Sequence, residues 1–167
     1  MKILGIDPGI ARTGWGIVEV QSAILRQSSG QALKTQNYGC VETVKELEKE
    51  QRLKSIYGSI TDIIEKYKPD ALAIEELFFN TNAKTAFVVG EARGVIMLAG
   101  AEKKLPVFIY TPLQVKVALT GYGRAEKMQV GKMVKVLLKL KEIPKPDDVT
   151  DALAVALTHA FSKKFDR

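Results

Sequence analysis

Four acidic side chains are spaced so that a fold can bring them together: Asp7, Glu75, Asp148 and Asp151. Asp7 and Glu75 each end a short apolar run, Ile3-Leu4-Gly5-Ile6 and Ala71-Leu72-Ala73-Ile74. Such runs read as buried strands, and open α/β sheets collect functional groups at the carboxyl ends of their strands. Asp148 and Asp151 stand i, i+3, which puts both side chains on one face of the first turn of the last helix. Two carboxylates about 4 Å apart repel by roughly 4 kcal/mol at an effective dielectric of about 20, a large share of the ~5–15 kcal/mol that holds a domain folded. A cluster of them therefore requires cations or protons. Oxygen donors without His or Cys partners suit Mg²⁺ or Mn²⁺ rather than zinc, and a surplus of positive charge elsewhere suits a phosphate substrate. The chemistry implied is two-metal phosphodiester hydrolysis, with Asp7 as the candidate bridge between the ions.

Each acid also has a plainer reading. Asp147 and Asp148 open a helix, where carboxylates cap free N–H groups and favour the dipole, so capping stays open for both. Asp151 resists that account because it precedes Ala152-Leu153-Ala154-Val155-Ala156-Leu157, a helix apolar nearly all round and hence buried. Glu76 rivals Glu75, but strand alternation sends its side chain to the opposite face. His159 stands eight residues past Asp151, roughly 12 Å along the helix, too far to share a metal, and is expected to pack.

The elements that must position these groups follow from the hydropathy pattern. Residues 1–6 form a strand ended by Asp7-Pro8-Gly9, residues 14–20 a second, and residues 38–42 a third, with a polar loop over 21–36. Apolar residues recur at helical spacing over 43–68 (Leu53, Ile56, Tyr57, Ile60, Ile63, Ile64) until Pro69. A strand over 71–75, a helix over 82–103, a strand at 107–110 and a helix opened by Thr111-Pro112 continue the chain. Two further helices span about 124–139 and 148–161. The β-helix-β-helix-β order imposes right-handed crossovers, so strands one, four and five lie parallel with helices on both faces, and the other two extend one edge antiparallel. The expected fold is α/β with a five-stranded mixed sheet, in a single domain spanning 1–167.

With 167 residues, 46% hydrophobic and 26% charged, the chain has ordinary globular usage, which excludes disordered and fibrous classes. The apolar stretch 86–101 is broken by Glu91 and Arg93, and residues 1–6 lack a signal-peptide core, so neither membrane insertion nor export is expected. The single cysteine, Cys40, cannot make an internal disulfide; it reads as a small buried hydrophobe and fits a reducing cytoplasm. The net charge of +6 favours polyanionic partners, nucleic acid first.

Taken together, Asp7-Pro8-Gly9, Arg12-Thr13-Gly14-Trp15-Gly16, Ala73-Ile74-Glu75 and Asp148-Val149-Thr150-Asp151-Ala152-Leu153-Ala154 resemble the RuvC family of Holliday-junction resolvases. Glu91-Ala92-Arg93-Gly94-Val95, Gln114-Val115-Lys116, Ala125-Glu126-Lys127 and Thr158-His159 extend the likeness over the whole chain. The resemblance implies an RNase H-like fold and a homodimer. Its implied activity is a structure-selective endodeoxyribonuclease that resolves four-way DNA junctions by paired nicks in recombination and repair. It implies two Mg²⁺ per active site, with Mn²⁺ as a substitute, held by Asp7, Glu75, Asp148 and Asp151, and partnership with the RuvA-RuvB branch-migration complex. Family members vary at the position of Asp148.

The resemblance further assigns DNA contacts to Arg12, Lys116, Lys127 and Phe78, the last stacking on a base near the crossover. Helical phase independently places Lys127 at the inward end of its helix, overhanging the functional edge, whereas Lys132, Lys135 and Lys139 lie on the opposite, solvated face. Phe78, with Phe79, also reads as a core anchor or hydrophobic staple. The helix over 86–101 carries Phe87, Val88, Val89, Val95, Ile96, Met97 and Leu98 around much of its circumference, more than one sheet face covers, so a second copy is expected to bury the excess. Three rivals remain. An actin-like ATP-binding protein shares the Asp-x-Gly turn but needs a second lobe for which 167 residues leave no room. An RNA-processing nuclease of the same fold and a non-catalytic DNA-architectural protein are the others, and the full set of acids argues against the last.

Overall fold

The computed structural model describes residues 1–21, 32–76 and 83–162. Strands β1 (Lys2–Asp7), β2 (Arg12–Gln21) and β3 (Ala32–Glu42) form an antiparallel meander. Helix α1 (Lys49–Tyr67), β4 (Ala71–Glu75), α2 (Ala83–Glu102) and β5 (Val107–Tyr110) follow, and then α3 (Pro112–Thr120), α4 (Lys127–Leu137) and α5 (Asp147–Ser162). The sheet order is β3-β2-β1-β4-β5, with β1, β4 and β5 parallel, as the crossover argument requires.

Both faces of the central strands are covered, which is why β1 and β4 are apolar without a polar side. Ile3 and Ala73 face a core shared with α3, α4 and α5, where Leu153 and Leu157 are fully buried. Leu4, Ile6, Leu72 and Ile74 point the other way, against Ile56, Ile60, Ile63 and Ile64 of α1 and Ala92, Ile96 and Ala99 of α2. Each such Leu or Ile is worth about 1.5–3 kcal/mol when fully buried. Among the described residues no helix is long and apolar enough to cross a membrane.

Two glycines let α5 lie directly on the sheet. A Cβ on Gly5 of β1 would stand 2.1 Å from the Ala152 carbonyl oxygen, and one on Gly14 of β2 would stand 1.9 Å from that of Asp148. Only a residue without a side chain fits there, so the first two turns of α5 press against the ends of β1 and β2.

Several boundaries differ from the sequence expectation. Residues 32–36, expected in a loop, extend β3, and Gln21 belongs to β2; residues 22–31 lie outside the described residues. An exposed edge strand is held by its ladder rather than by apolar alternation, and here the register shifts between Ile17 and Val18, leaving Gln36 as an extra residue on β3. Residues 43–48 do not begin α1, because Thr43 is tied to the turn after β1: its hydroxyl donates to the Ile10 carbonyl and accepts from Arg52 Nε at 2.8 Å. Helix α4 is shorter than 124–139, since Glu126 caps it through a box with Gln129 and Lys139, just past its end, has φ 53°. Cys40 is half-buried rather than fully buried, packed against the core on the α5 side.

Candidate active site

The parallel register pairs Ile6 with Ile74, so the next residues, Asp7 and Glu75, stand side by side at the carboxyl ends of adjacent strands. Both share the face of Gly5 and Ala73, towards α5, by the period-two alternation of a strand. Asp148 and Asp151 reach the same place from the first turns of α5, brought down by the close approach at Gly14. Glu76 is exposed one residue beyond, outside the group. Thr13, fully buried, donates to the Gly9 carbonyl at 2.7 Å and closes the turn that presents Asp7.

The electrostatics record how closely these acids are gathered. Burial pushes the Asp7 carboxyl up to about 8, with the charges of Glu75, Asp151 and Asp148 adding to it. Burial also raises Glu75, helped by Asp151 and opposed by its hydrogen bond with Asp7 and by Lys127. The hydrogen bond between the two carboxyls raises Asp7 and lowers Glu75. Asp151 is raised by burial despite its contact with Lys127. Among the described residues no group of three or more His, Cys, Asp or Glu side chains is placed to hold a metal ion. What gathers is a group of carboxyls buried to different degrees, with the Lys127 ammonium beside Asp151.

Lys127, the first residue of α4, reaches over this cluster. Its ammonium lies 2.7 Å from Asp151 Oδ2 and 3.7 Å from Asp147 Oδ2. Burial alone would lower its pKa, but the hydrogen bond and charge of Asp151, with Asp147 and Asp7 behind, hold it above the usual lysine value. Lys127 joins Lys116, Glu75, Asp151, Pro112, Val115 and Val130 in lining a cleft of about 240 Å³. Arg12 stands at the rim, its Nε 3.9 Å from Asp148 Oδ2, with both side chains partly exposed.

The structure thus brings Asp7, Glu75, Asp148, Asp151, Lys127, Lys116 and Arg12 into one region. Phe78 lies outside the described residues. His159 packs, as expected: it is buried, its Nδ1 is 2.7 Å from the Tyr110 hydroxyl, and its ring lies 4.2 Å from that of Phe108. Lys132 is exposed on α4 and Lys139 just past its end, but Lys135, expected on the same solvated face, is half-buried. Asp147 is more than a helix-opening acid: it also pairs with Lys145 Nζ at 2.7 Å, which pulls its pKa down. The sequence signal for that role was Lys145 two residues before it.

A mixed sheet of this order, with carboxylates at the ends of its two central strands and on the helix that crosses them, defines the RNase H-like fold. The yeast mitochondrial Holliday junction resolvase shares that fold, with a TM-score of 0.67 at 14% identity over 98% of this chain and 80% of its own. Residues 3–159 match the family described as crossover junction endodeoxyribonuclease RuvC, and the chain belongs to that family. A RuvC relative from Desulforamulus reducens is 56% identical over 96% of this chain and 93% of its own, and one from Caldicellulosiruptor saccharolyticus is 54% identical over 97% and 93%. The solved Thermus thermophilus RuvC has a TM-score of 0.89 at 37% identity, covering 98% of this chain and 96% of its own. T. thermophilus RuvC in complex with Holliday junction substrate has a TM-score of 0.87 at 35% identity, covering 99% and 97%.

Proposed function

We propose that this chain is a structure-selective endodeoxyribonuclease that resolves four-way DNA junctions by paired phosphodiester hydrolysis, as one nuclease domain over residues 1–167. Its setting is recombination and repair in the cytoplasm. The observation that carries this reading is the convergence of Asp7, Glu75 and Asp151, the last two lining a cleft together with Lys116 and Lys127. The solved relative in complex with a Holliday junction substrate supports the choice of DNA over RNA.

The donor set suits hard divalent cations, because it is all carboxylate oxygen and its burial leaves Asp7 protonated near neutral pH unless a cation takes the proton's place. Asp7, Glu75, Asp148 and Asp151 would hold two Mg²⁺, with Mn²⁺ as a substitute. Bound there, such ions supply an activated water and neutralise charge on the phosphate. The chain's own groups do the remaining work. Lys127, held protonated by the acids around it, offers its ammonium to the scissile phosphate, and Lys116 faces it across the cleft. Arg12 at the rim takes a neighbouring phosphate. Pro112, Val115 and Val130 keep the wall apolar and limit bulk water. Phe78 is assigned to base stacking by the resemblance.

Lys127→Ala is expected to lower the cleavage rate more than junction affinity, while Lys135→Ala, on the outer part of α4, changes neither by more than about twofold. Single-turnover rates and filter binding across a salt series distinguish the two. Equal losses of affinity, each reducing the log-log salt slope by about 0.9, would instead make both plain phosphate contacts.

Paired nicking needs two identical sites. Phe87 is 74% exposed and Leu98 52% exposed on α2, an apolar stripe that one subunit leaves uncovered. An isologous homodimer through this helix presents two acidic clefts to a junction of approximate two-fold symmetry. Partnership with the RuvA-RuvB branch-migration complex is assigned by the family resemblance. Leu98→Glu is expected to shift the protein from dimer to monomer in sedimentation and to replace paired nicks in a cruciform plasmid by single ones. An unsubstituted chain that sediments as a monomer at working concentration, or nicks once and never in pairs, would sink the dimer.

A further inference from the structure

One carboxylate beside Lys127 has no part in the mechanism above: Asp147, the first residue of α5. It stands four residues before Asp151, so the two side chains rise from the same side of the helix, one turn apart. The Lys127 ammonium lies between them, 2.7 Å from Asp151 Oδ2 and 3.7 Å from Asp147 Oδ2. The other oxygen of Asp147, Oδ1, takes the Lys145 ammonium at 2.7 Å. Each oxygen of this one carboxylate therefore faces a different lysine. Lys127 and Asp151 line the cleft and Asp147 does not, so Asp147 approaches Lys127 from outside it.

The two carboxylates cannot serve Lys127 equally throughout a reaction. Asp151 belongs to the set assigned to divalent cations, so in the loaded site its oxygens are engaged and its attraction for the ammonium is offset. Its hold on Lys127 is then weakest when the phosphate is in place, which is when the position of the ammonium matters. Asp147 is outside that set and keeps its charge for the lysine. A movement of about 1 Å brings the ammonium from 3.7 Å into the ~2.8 Å range of a charge-assisted hydrogen bond with Asp147 Oδ2. Lys145, bound to Oδ1, keeps the carboxylate from turning away. Without that anchor Lys127, 59% exposed on a flexible four-carbon stem, is free to swing into solvent. A misplacement of ~1 Å near the reacting atoms costs about a hundredfold in rate.

We propose that Asp147 is a positioning residue for Lys127. Steadied by Lys145 on one oxygen, it takes the Lys127 ammonium on the other once Asp151 is engaged, and so keeps that ammonium at the wall of the cleft, against the scissile phosphate. Asp147 acts through Lys127 and not on the DNA. This assignment rests on the reading of the acidic cleft as the nuclease centre.

The test uses full-length protein. Asp147→Asn keeps the side chain's size, and Asn opens a helix about as well as Asp, so the variant removes the charge facing Lys127 without removing a cap. Its single-turnover cleavage rate on a four-way junction at saturating Mg²⁺ is expected to fall about 5- to 50-fold, while junction affinity changes by less than about threefold. Asp147→Glu, which keeps the charge, is expected to stay within about threefold of the unsubstituted rate. In a Lys127→Ala background Asp147→Asn is expected to cost nothing further, since the group it positions is gone. A readout independent of cleavage is the NMR signal of the Lys127 Cε–H groups, assigned by its loss in Lys127→Ala. In EDTA that signal is expected to sit away from that of a solvated lysine in both the unsubstituted chain and Asp147→Asn, because Asp151 holds the ammonium in both. On adding Mg²⁺ it is expected to stay away in the unsubstituted chain and to move to the solvated position in Asp147→Asn. An Asp147→Asn chain that cuts at the unsubstituted rate, a loss of the same size with and without Lys127, or signals that respond alike to Mg²⁺ would overturn the assignment and leave the nuclease intact. An unsubstituted chain that cuts no junction would overturn the nuclease reading itself, and this assignment with it.

Discussion

In Asp7→Asn, Glu75→Gln or Asp151→Asn protein, cleavage of a four-way junction is expected to fall by at least about a thousandfold, ~4 kcal/mol in barrier terms, while junction affinity stays the same or increases. Each substitution keeps the side chain's size but removes an anionic oxygen donor from the cluster, so the catalytic cations lose a ligand. Each also removes a negative charge from beside the incoming phosphate, which favours binding. The split between rate and affinity distinguishes loss of catalysis from loss of fold or of recognition. Asp148, at the rim beside Arg12 and 31% exposed, is expected to matter less. Near-normal turnover by any of the three variants at saturating Mg²⁺ would remove that residue from the essential ligands.

The second large effect is on metal-free stability. Asp7 is raised from 3.8 to about 8 in the folded chain, so between those values the native state keeps a proton that the unfolded chain has released. Stability in EDTA therefore falls as pH rises through that window, by up to ~1.4 kcal/mol per pH unit for one such group, and levels off above it. Glu75 and Asp151, also raised by burial, act in the same direction. Asp147 is lowered and acts oppositely, but it is exposed and solvent screens it. Adding Mg²⁺ at pH 8 is expected to restore stability, by ~2.7 kcal/mol at a concentration a hundred times its Kd. Asp7→Asn is expected to be more stable than the unsubstituted chain in EDTA at pH 8 and to lose most of the metal response. Urea unfolding at pH 5 and pH 8 measures both. A metal-free stability that does not change between those values would contradict the electrostatics assigned to the cluster.

The acids were legible in the sequence because their positions obey simple rules. Asp7 and Glu75 end apolar strands, and Asp148 and Asp151 share a helical face. Lys127 was legible through helical phase, and the parallel register that sets Asp7 beside Glu75 followed from the order of elements. What the pattern did not carry was proximity between distant backbones. Gly5 and Gly14 are the signal for it, since a glycine inside a strand marks close approach, yet nothing in one sequence says that the approaching backbone is α5. The extent of β3 was hidden for a different reason: an edge strand with Lys34, Gln36, Asn37 and Tyr38 exposed has no apolar alternation to read. The start of α1 depends on Thr43 reaching the Ile10 carbonyl, a contact between residues 33 positions apart. The pairing of Asp147 with Lys127 likewise appears only when α4 and α5 are placed together, whereas its pairing with Lys145 is local and was within reach of the sequence.

The most direct measurement incubates purified protein with a four-way DNA junction, the matching linear duplex and a structured RNA hairpin, each with and without Mg²⁺, and resolves the strands on a denaturing gel. The expected result is two symmetric cuts in the junction that require Mg²⁺, with the duplex and the RNA left intact. Binding without any metal-dependent product, or cleavage of the RNA in preference to the junction, would contradict the account.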